Sequence, residues 1–121
     1  MKYPLSATGK KRLALADPSL IVLINALCEI VDITVLCTHR GEAEQNEAFK
    51  NGKSKLKFPN SKHNCLPSRA IDIAPYPIDW NNIDRFNEML DIVQKLADER
   101  GIKIRLGRSF SFKDFPHIEL V

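Results

Sequence analysis

Apolar residues recur along the chain with two different periods, and those periods mark out its elements. Between residues 82 and 100, Ile83, Phe86, Leu90, Val93, Leu96 and Ala97 return at helical spacing, with Gly101 as a stop. That spacing predicts a helix with one buried face. Residues 19–30 are apolar on most sides and follow Asp17-Pro18, an N-cap aspartate before a first-turn proline. A helix packed against a sheet is expected there. Residues 33–38 are β-branched and apolar, as in a central strand. Residues 70–74 alternate, with Ile71 and Ile73 toward the core and Asp72 on the other face, until Pro75 and Pro77 end the strand. Residues 103–106 and 116–120 read as two short final strands, and Glu42, Glu44 and Glu47 before Lys50 suit a short helix closed by Asn51-Gly52.

Between these elements lies a polar, proline-punctuated stretch, residues 53–69, with no period. A loop of this length inside a small domain is functional or disordered. No repeat or linker breaks the chain, so residues 1–121 are expected to form a single domain. Its class is α+β: a small, largely antiparallel sheet with packed helices.

Composition adds mainly exclusions. Apolar residues make up 44% and charged residues 27%, ordinary for a globular protein, and no apolar run is long enough to span a membrane. Eighteen basic against fifteen acidic residues leave +3, a mild balance that suits nucleic acid or an anionic cell wall equally. Three cysteines, Cys28, Cys37 and Cys65, are too few for a disulfide framework, and no CxxC is present. Cys28 and Cys37 fall in apolar runs and read as small core residues. No apolar stretch follows Lys2 or the later Lys10, Lys11 and Arg12, so no secretory signal is visible.

The chemistry gathers on two strands. Period two sets His117 and Glu119 on one face and Ile118 and Leu120 on the other, while Asp72 faces away from Ile71 and Ile73. An imidazole and a carboxylate, each flanked by core anchors, suit a rigid metal site, and His63 in the long loop can supply a third ligand. A catalytic zinc takes three protein ligands and keeps its fourth position open. Asp114 could then act as general base, taking a proton from the attacking water and returning it to the leaving amine. Pro116 favours an extended Phe115, which carries Asp114 along the strand and away from the coordination position of His117. Arg40 could steady an oxyanion or a substrate carboxylate. The metal bond at His63 is expected to be the main tether of the long loop. Trp80 and Tyr76 read as cover for the core edge, and Lys53, Lys55, Lys57 and Lys62 as a solvated cluster with an attraction for anionic wall polymer.

Four segments, taken together, resemble a known family: Cys37-Thr38-His39-Arg40-Gly41 with Glu44-Gln45; Ser61-Lys62-His63-Asn64; the run Pro67-Ser68-Arg69-Ala70-Ile71-Asp72-Ile73-Ala74-Pro75-Tyr76-Pro77-Ile78-Asp79-Trp80; and Asp114-Phe115-Pro116-His117-Ile118-Glu119. They are similar to the zinc peptidases that comprise D-alanyl-D-alanine carboxypeptidases and phage L-alanyl-D-glutamate endolysins, most of all to the short phage members. The resemblance implies a Hedgehog/D,D-peptidase-like fold, with Zn2+ held by His63, Asp72 and His117. It makes Asp114 the catalytic base, Arg40 the carbonyl-polarising or substrate-binding group, and Ser61 and Gln45 substrate-pocket residues. Two departures stand out. The gap from His63 to Asp72 is longer than in the compact motif, and the usual Trp-Gly-Gly-x-Trp is here Leu106-Gly107-Arg108-Ser109-Phe110, which removes a tryptophan from the cleft rim.

The function implied is zinc-dependent hydrolysis of the peptidoglycan stem peptide at the L-alanyl-D-glutamate bond, by a monomer with no nucleic-acid or membrane partner. Such an endolysin would stay in the host cytoplasm until lysis and then act on the wall from the periplasm. A D-alanyl-D-alanine carboxypeptidase of the same fold is the nearest rival and needs a cation for a free C-terminal carboxylate. A small phage nuclease lacks its histidine-led hairpin and basic helix here. A non-catalytic zinc-binding virion component has no reason to keep Asp114.

Overall fold

A computed structural model describes residues 2–121. Helix α1 (Ala7–Leu13) and helix α2 (Pro18–Leu27) precede strand β1 (Ile33–Cys37) and helix α3 (Glu42–Lys50). Strand β2 (Ala70–Pro75), helix α4 (Ile83–Glu99), strand β3 (Ile104–Leu106) and strand β4 (His117–Leu120) follow. Every strand pairing is antiparallel, in the order β1-β2-β4-β3.

The caps explain most of the helix boundaries. Asp17 accepts from the Ser19 amide at 2.9 Å with Pro18 in the first turn, and Asn82 accepts from the Arg85 amide at 3.2 Å. Gly52 and Gly101 sit at φ 74° and 66° just beyond α3 and α4, the left-handed position that glycine occupies without a Cβ penalty. Helix α2 ends at Leu27 rather than running to residue 30, because Cys28 caps it and Ile30 turns out toward solvent. Helix α1 has no counterpart in the periodicity, since only Gly9 and Leu13 of its seven residues are buried. A short cap from Ser6 to the Gly9 amide, 3.1 Å, starts it.

Helices α2 and α4 pack together, α4 lies across β2 and β3, and α1 packs on β1. One cluster, from Leu5 to Leu120, holds Leu20, Leu23, Ile24, Ile71, Ile73, Phe86, Leu90, Val93 and Ile118 at 1% exposure or less. Among the described residues no helix is long and apolar enough to cross a membrane. Trp80 stacks on Phe86 at 5.8 Å and 22°, covering the core edge as expected.

Strand β1 is an edge strand, not the central strand its apolar run suggests. Its outer side is covered from within the chain: α1 packs on it, and the Arg12 guanidinium donates to the Val35 carbonyl at 2.9 Å. An edge covered in this way can be as apolar as a central strand. The ladder with β2 slips between Val35 and Cys37, a bulge that sets Cys37 opposite Asp72. Cys37 is therefore half-buried beside the polar face, and only Cys28 is a true core thiol.

The long loop also has protein tethers of its own. Gln45, fully buried on α3, donates to Ser54 Oγ at 2.9 Å and to the Leu56 carbonyl at 2.6 Å. At the far end, Ser68 exchanges backbone hydrogen bonds of 2.8 Å with Leu15 and Asp17, so a metal at His63 would be one tether among several rather than the main one.

Candidate active site

The register that builds the sheet also builds the site. Asp72 pairs directly with His117 across β2 and β4, and Ala70 pairs with Glu119, so the polar side chains share the face opposite Ile71, Ile73 and Ile118. His63 joins them from the short 3-10 turn Lys62–Asn64, whose first amides are capped by Ser61: its Oγ accepts from the His63 amide at 3.2 Å. One oxygen of Asp72 lies 3.2 Å from His63 Nε2 and 3.1 Å from His117 Nδ1.

The outer side of each imidazole is fixed. His63 Nδ1 donates to the Thr38 carbonyl at 2.6 Å, and since a carbonyl can only accept, a hydrogen is on Nδ1 and Nε2 is the nitrogen turned to Asp72. His117 Nε2 donates to Glu119 Oε1 at 2.8 Å, which leaves Nδ1 facing the same point. Ser68 Oγ steadies the Thr38 carbonyl at 2.9 Å, and Lys62 steadies Glu119 at 3.1 Å. Metal-binding histidines are oriented in this way by a carbonyl or carboxylate behind the ring.

Ligand atoms of His63, Asp72 and His117 all lie within 4.8 Å of one another, a group that could hold a metal ion. Tetrahedral bonds of about 2.0–2.1 Å put ligand atoms about 3.3 Å apart, close to the 3.2 and 3.1 Å from Asp72 to the two imidazoles. Two imidazoles and one carboxylate, with both tautomers set, fit such an ion. Without one, protons bridge the same atoms. Burial opposes charge on His63, but its hydrogen bonds to Asp72 and Cys37 prevail and push its pKa up to about 10. His117 is likewise raised to about 8 against its burial, by Asp72 and Glu119. Burial would raise Asp72 as well, yet the two imidazoles hold it well below the usual carboxylate range.

Asp114 lines the same cleft as His63 and His117 and is not a member of the candidate metal group. Residues 114–117 form a turn closed by the His117 amide on the Asp114 carbonyl at 3.1 Å, so the backbone folds back at Pro116 instead of continuing along the strand. The Asp114 amide in turn donates to the Gly107 carbonyl at 3.0 Å. Burial and the negative charge of Asp72 raise the pKa of Asp114, with His117, His63 and Arg40 acting the other way. Gly107 is required by packing: a Cβ there would overlap the Asp114 carbonyl and lie 2.8 Å from His117 Cβ. Gly107→Ala is expected to cost about 1–3 kcal/mol in urea unfolding and to lower activity by displacing Asp114.

Arg40 is held on three sides, donating to Asp72 Oδ2 at 3.5 Å, Gln45 Oε1 at 3.1 Å and Cys37 Sγ at 3.4 Å. Gln45 also accepts from Asn64 at 3.2 Å, so all its capacity is used inside the protein and it serves Arg40 and the loop rather than the cleft. Ser61, Arg40, His63, Asp114 and His117 open onto a cleft of about 430 Å³. Of the four loop lysines, Lys53, Lys55 and Lys62 line this cleft, with Lys62 bound to Glu119 and Lys55 over Phe112, while Lys57 lies over Phe49 outside its lining. Cys37, Thr38 and Phe110, whose ring centre is 5.5 Å from that of His117, complete the surroundings and carry no motif of their own.

The whole chain, residues 1–121, matches the family described as phage L-alanyl-D-glutamate peptidase. An L-alanyl-D-glutamate peptidase of Escherichia phage T5 is 31% identical over 126 residues, covering 99% of this chain and 90% of that protein. The crystal structure of Serratia marcescens L-Ala D-Glu endopeptidase ChiX is similar with a TM-score of 0.83 at 25% identity, over 99% of this chain and 92% of the other. The chain belongs to the phage L-alanyl-D-glutamate peptidase family.

Proposed function

We propose that the chain is a zinc-dependent peptidase that cuts the L-alanyl-D-glutamate bond of the peptidoglycan stem peptide. The observation that carries the reading is the convergence of His63, Asp72 and His117, with both histidines and Asp114 lining one cleft, on a chain whose full length matches the family. Zinc, when bound, supplies Lewis acidity toward the scissile carbonyl and the attacking water. The chain's own groups do the rest. Asp114 accepts the proton of the attacking water at its carboxylate and passes it to the leaving amine nitrogen. The Arg40 guanidinium, fixed by Asp72, Gln45 and Cys37, presents positive charge to the oxygen on which negative charge develops. Thr38 and Glu119 keep each imidazole in one tautomer and one orientation.

The same reading makes the protein a single-domain monomer that waits in the host cytoplasm and reaches the wall from the periplasmic side. Digestion of purified muropeptides, with and without chelator and read by mass spectrometry, tests it. The expected products end in L-alanine and begin with D-glutamate, and they vanish on chelation. Release of free D-alanine instead would make the chain a D,D-carboxypeptidase, and cleavage that survives chelation would sink the zinc assignment.

Metal binding is expected to displace protons. Below about pH 8 both imidazoles of the metal-free protein are protonated, with pKa values near 10 and 8, whereas a metal requires them neutral. Binding should therefore release about two protons at pH 7 and about one at pH 9. Calorimetry in buffers of different ionisation enthalpy measures this number, and a constant number across that range would contradict the ligand set. The sign for stability follows. Raised histidine pKa values stabilise the metal-free fold fully below pH 6.5, and that contribution is lost as pH rises through about 8 and then 10.

A further inference from the structure

We infer that Arg105 and Lys55 form a cationic rim that binds the free carboxylate of the residue after the scissile bond. The rim would select stems with an ionised D-glutamyl residue over those carrying its carboxamide. This rests on the reading that an alanyl–glutamyl bond is cut. A glutamyl residue has two carboxyl groups and needs only one to continue the peptide, so the other lies a few bonds from the amide being broken.

The cleft is lined by five Lys and Arg side chains against two carboxylates, Asp114 and Glu119. Two of the five are committed inside the protein: Arg40 to Asp72 and Gln45, and Lys62 to Glu119 and the Leu120 carbonyl. Of the other three, Lys53, Lys55 and Arg105, the last two are held over aromatic rings. Arg105 reaches Glu119 only at 4.0 Å, and that carboxylate already takes Lys62 at 3.1 Å and His117 at 2.8 Å. Its guanidinium instead lies 5.0 Å over the Phe110 ring, with 59% of the side chain exposed. Lys55, from the long loop, sits 4.4 Å over the Phe112 ring. An aromatic face holds a cation in place without neutralising it. Both charges are therefore positioned and still free to donate to an anion.

The rim is also at the right remove from the chemistry. The Phe110 ring centre lies 5.5 Å from that of His117 and 5.0 Å from the Arg105 guanidinium, so the cation and a candidate ligand share one aromatic neighbour. A carboxyl carbon three bonds from the scissile carbonyl lies about 3–4 Å beyond it. A carboxylate there offers two anionic oxygens to the cations of the rim, whereas a carboxamide brings no charge and one acceptor oxygen in place of two.

The test compares two synthetic tripeptides, L-Ala-D-Glu-L-Lys and L-Ala-D-isoglutamine-L-Lys, both continued through the glutamyl side chain. They differ only in carboxylate against carboxamide. The wild type should prefer the carboxylate by about fivefold or more in kcat/KM, carried by KM. In Lys55→Met/Arg105→Met, which keeps the aliphatic stems on the rings, the ratio should fall to near one, and Arg105→Lys should restore most of it. A wild-type ratio near one, an unchanged ratio in the double variant, or an equal loss on both peptides would overturn the rim. If the wild type cuts neither peptide, the alanyl–glutamyl reading itself fails. The rim is then read by NMR titration with D-Glu-L-Lys and its carboxamide counterpart, where equal binding by the wild type overturns it.

Discussion

His117→Ala is expected to purify without stoichiometric metal and to lose at least about three orders of magnitude in cleavage. Three protein ligands are the minimum for a catalytic zinc site, and each supplies a share of the several kcal/mol by which the ion steadies transition-state charge. The loss should be confined to the site. Position 117 pairs with Asp72 through the backbone, and the anchors Ile118 and Leu120 face the core on the other side of the sheet. Glu119 keeps Lys62 at 3.1 Å after the imidazole is gone, so no buried carboxylate is stranded. Glu119→Gln is the graded companion: it keeps an acceptor for His117 Nε2 but removes the charge, and should weaken metal binding by about 10- to 100-fold without abolishing it. Metal analysis and unfolding curves on both variants check the argument. One tight metal retained by His117→Ala would show the ligand set to be wrong.

The parts of this fold that are legible in the sequence are those where a local signal and the tertiary environment agree. Helix α4 has both a clean apolar stripe and a core to receive it, and Asp17-Pro18 starts α2 as its chemistry dictates. Alternation in β2 and β4 placed Asp72, His117 and Glu119 on one face, but only the antiparallel register makes Asp72 and His117 neighbours, and register is a tertiary property. Strand β1 shows the limit. Its apolarity comes from cover by α1 and Arg12, which no window over residues 33–38 contains. The bulge that brings Cys37 beside His63 is equally silent, and Thr38 acts through a backbone carbonyl that every residue type possesses. The long loop looked structureless because its anchors, Gln45 and the backbone at Leu15 and Asp17, lie elsewhere in the chain.

Asp114→Asn is expected to bind metal as the wild type does and to lose about 10²–10⁴-fold in cleavage rate, the usual worth of a general base. Asparagine keeps the shape and removes the proton acceptor. The turn that holds position 114 depends only on backbone groups, the Asp114 carbonyl under the His117 amide and the Asp114 amide on Gly107, so the substitution leaves it intact. The proposed base role is the one the arrangement favours. His63, Asp72 and His117 form the compact group, and Asp114 lies outside it while lining the cleft with both histidines. Its raised pKa, from burial and the charge of Asp72, draws it toward the pH at which it must both accept and return a proton. A base must be ionised to act. Wild-type kcat/KM should therefore fall as pH drops through that raised pKa, and the residual activity of the variant should lack this acid limb. Zinc content measured beside the pH profile decides the matter. Loss of the metal would move Asp114 among the ligands, and wild-type cleavage by Asp114→Asn would end its role as base.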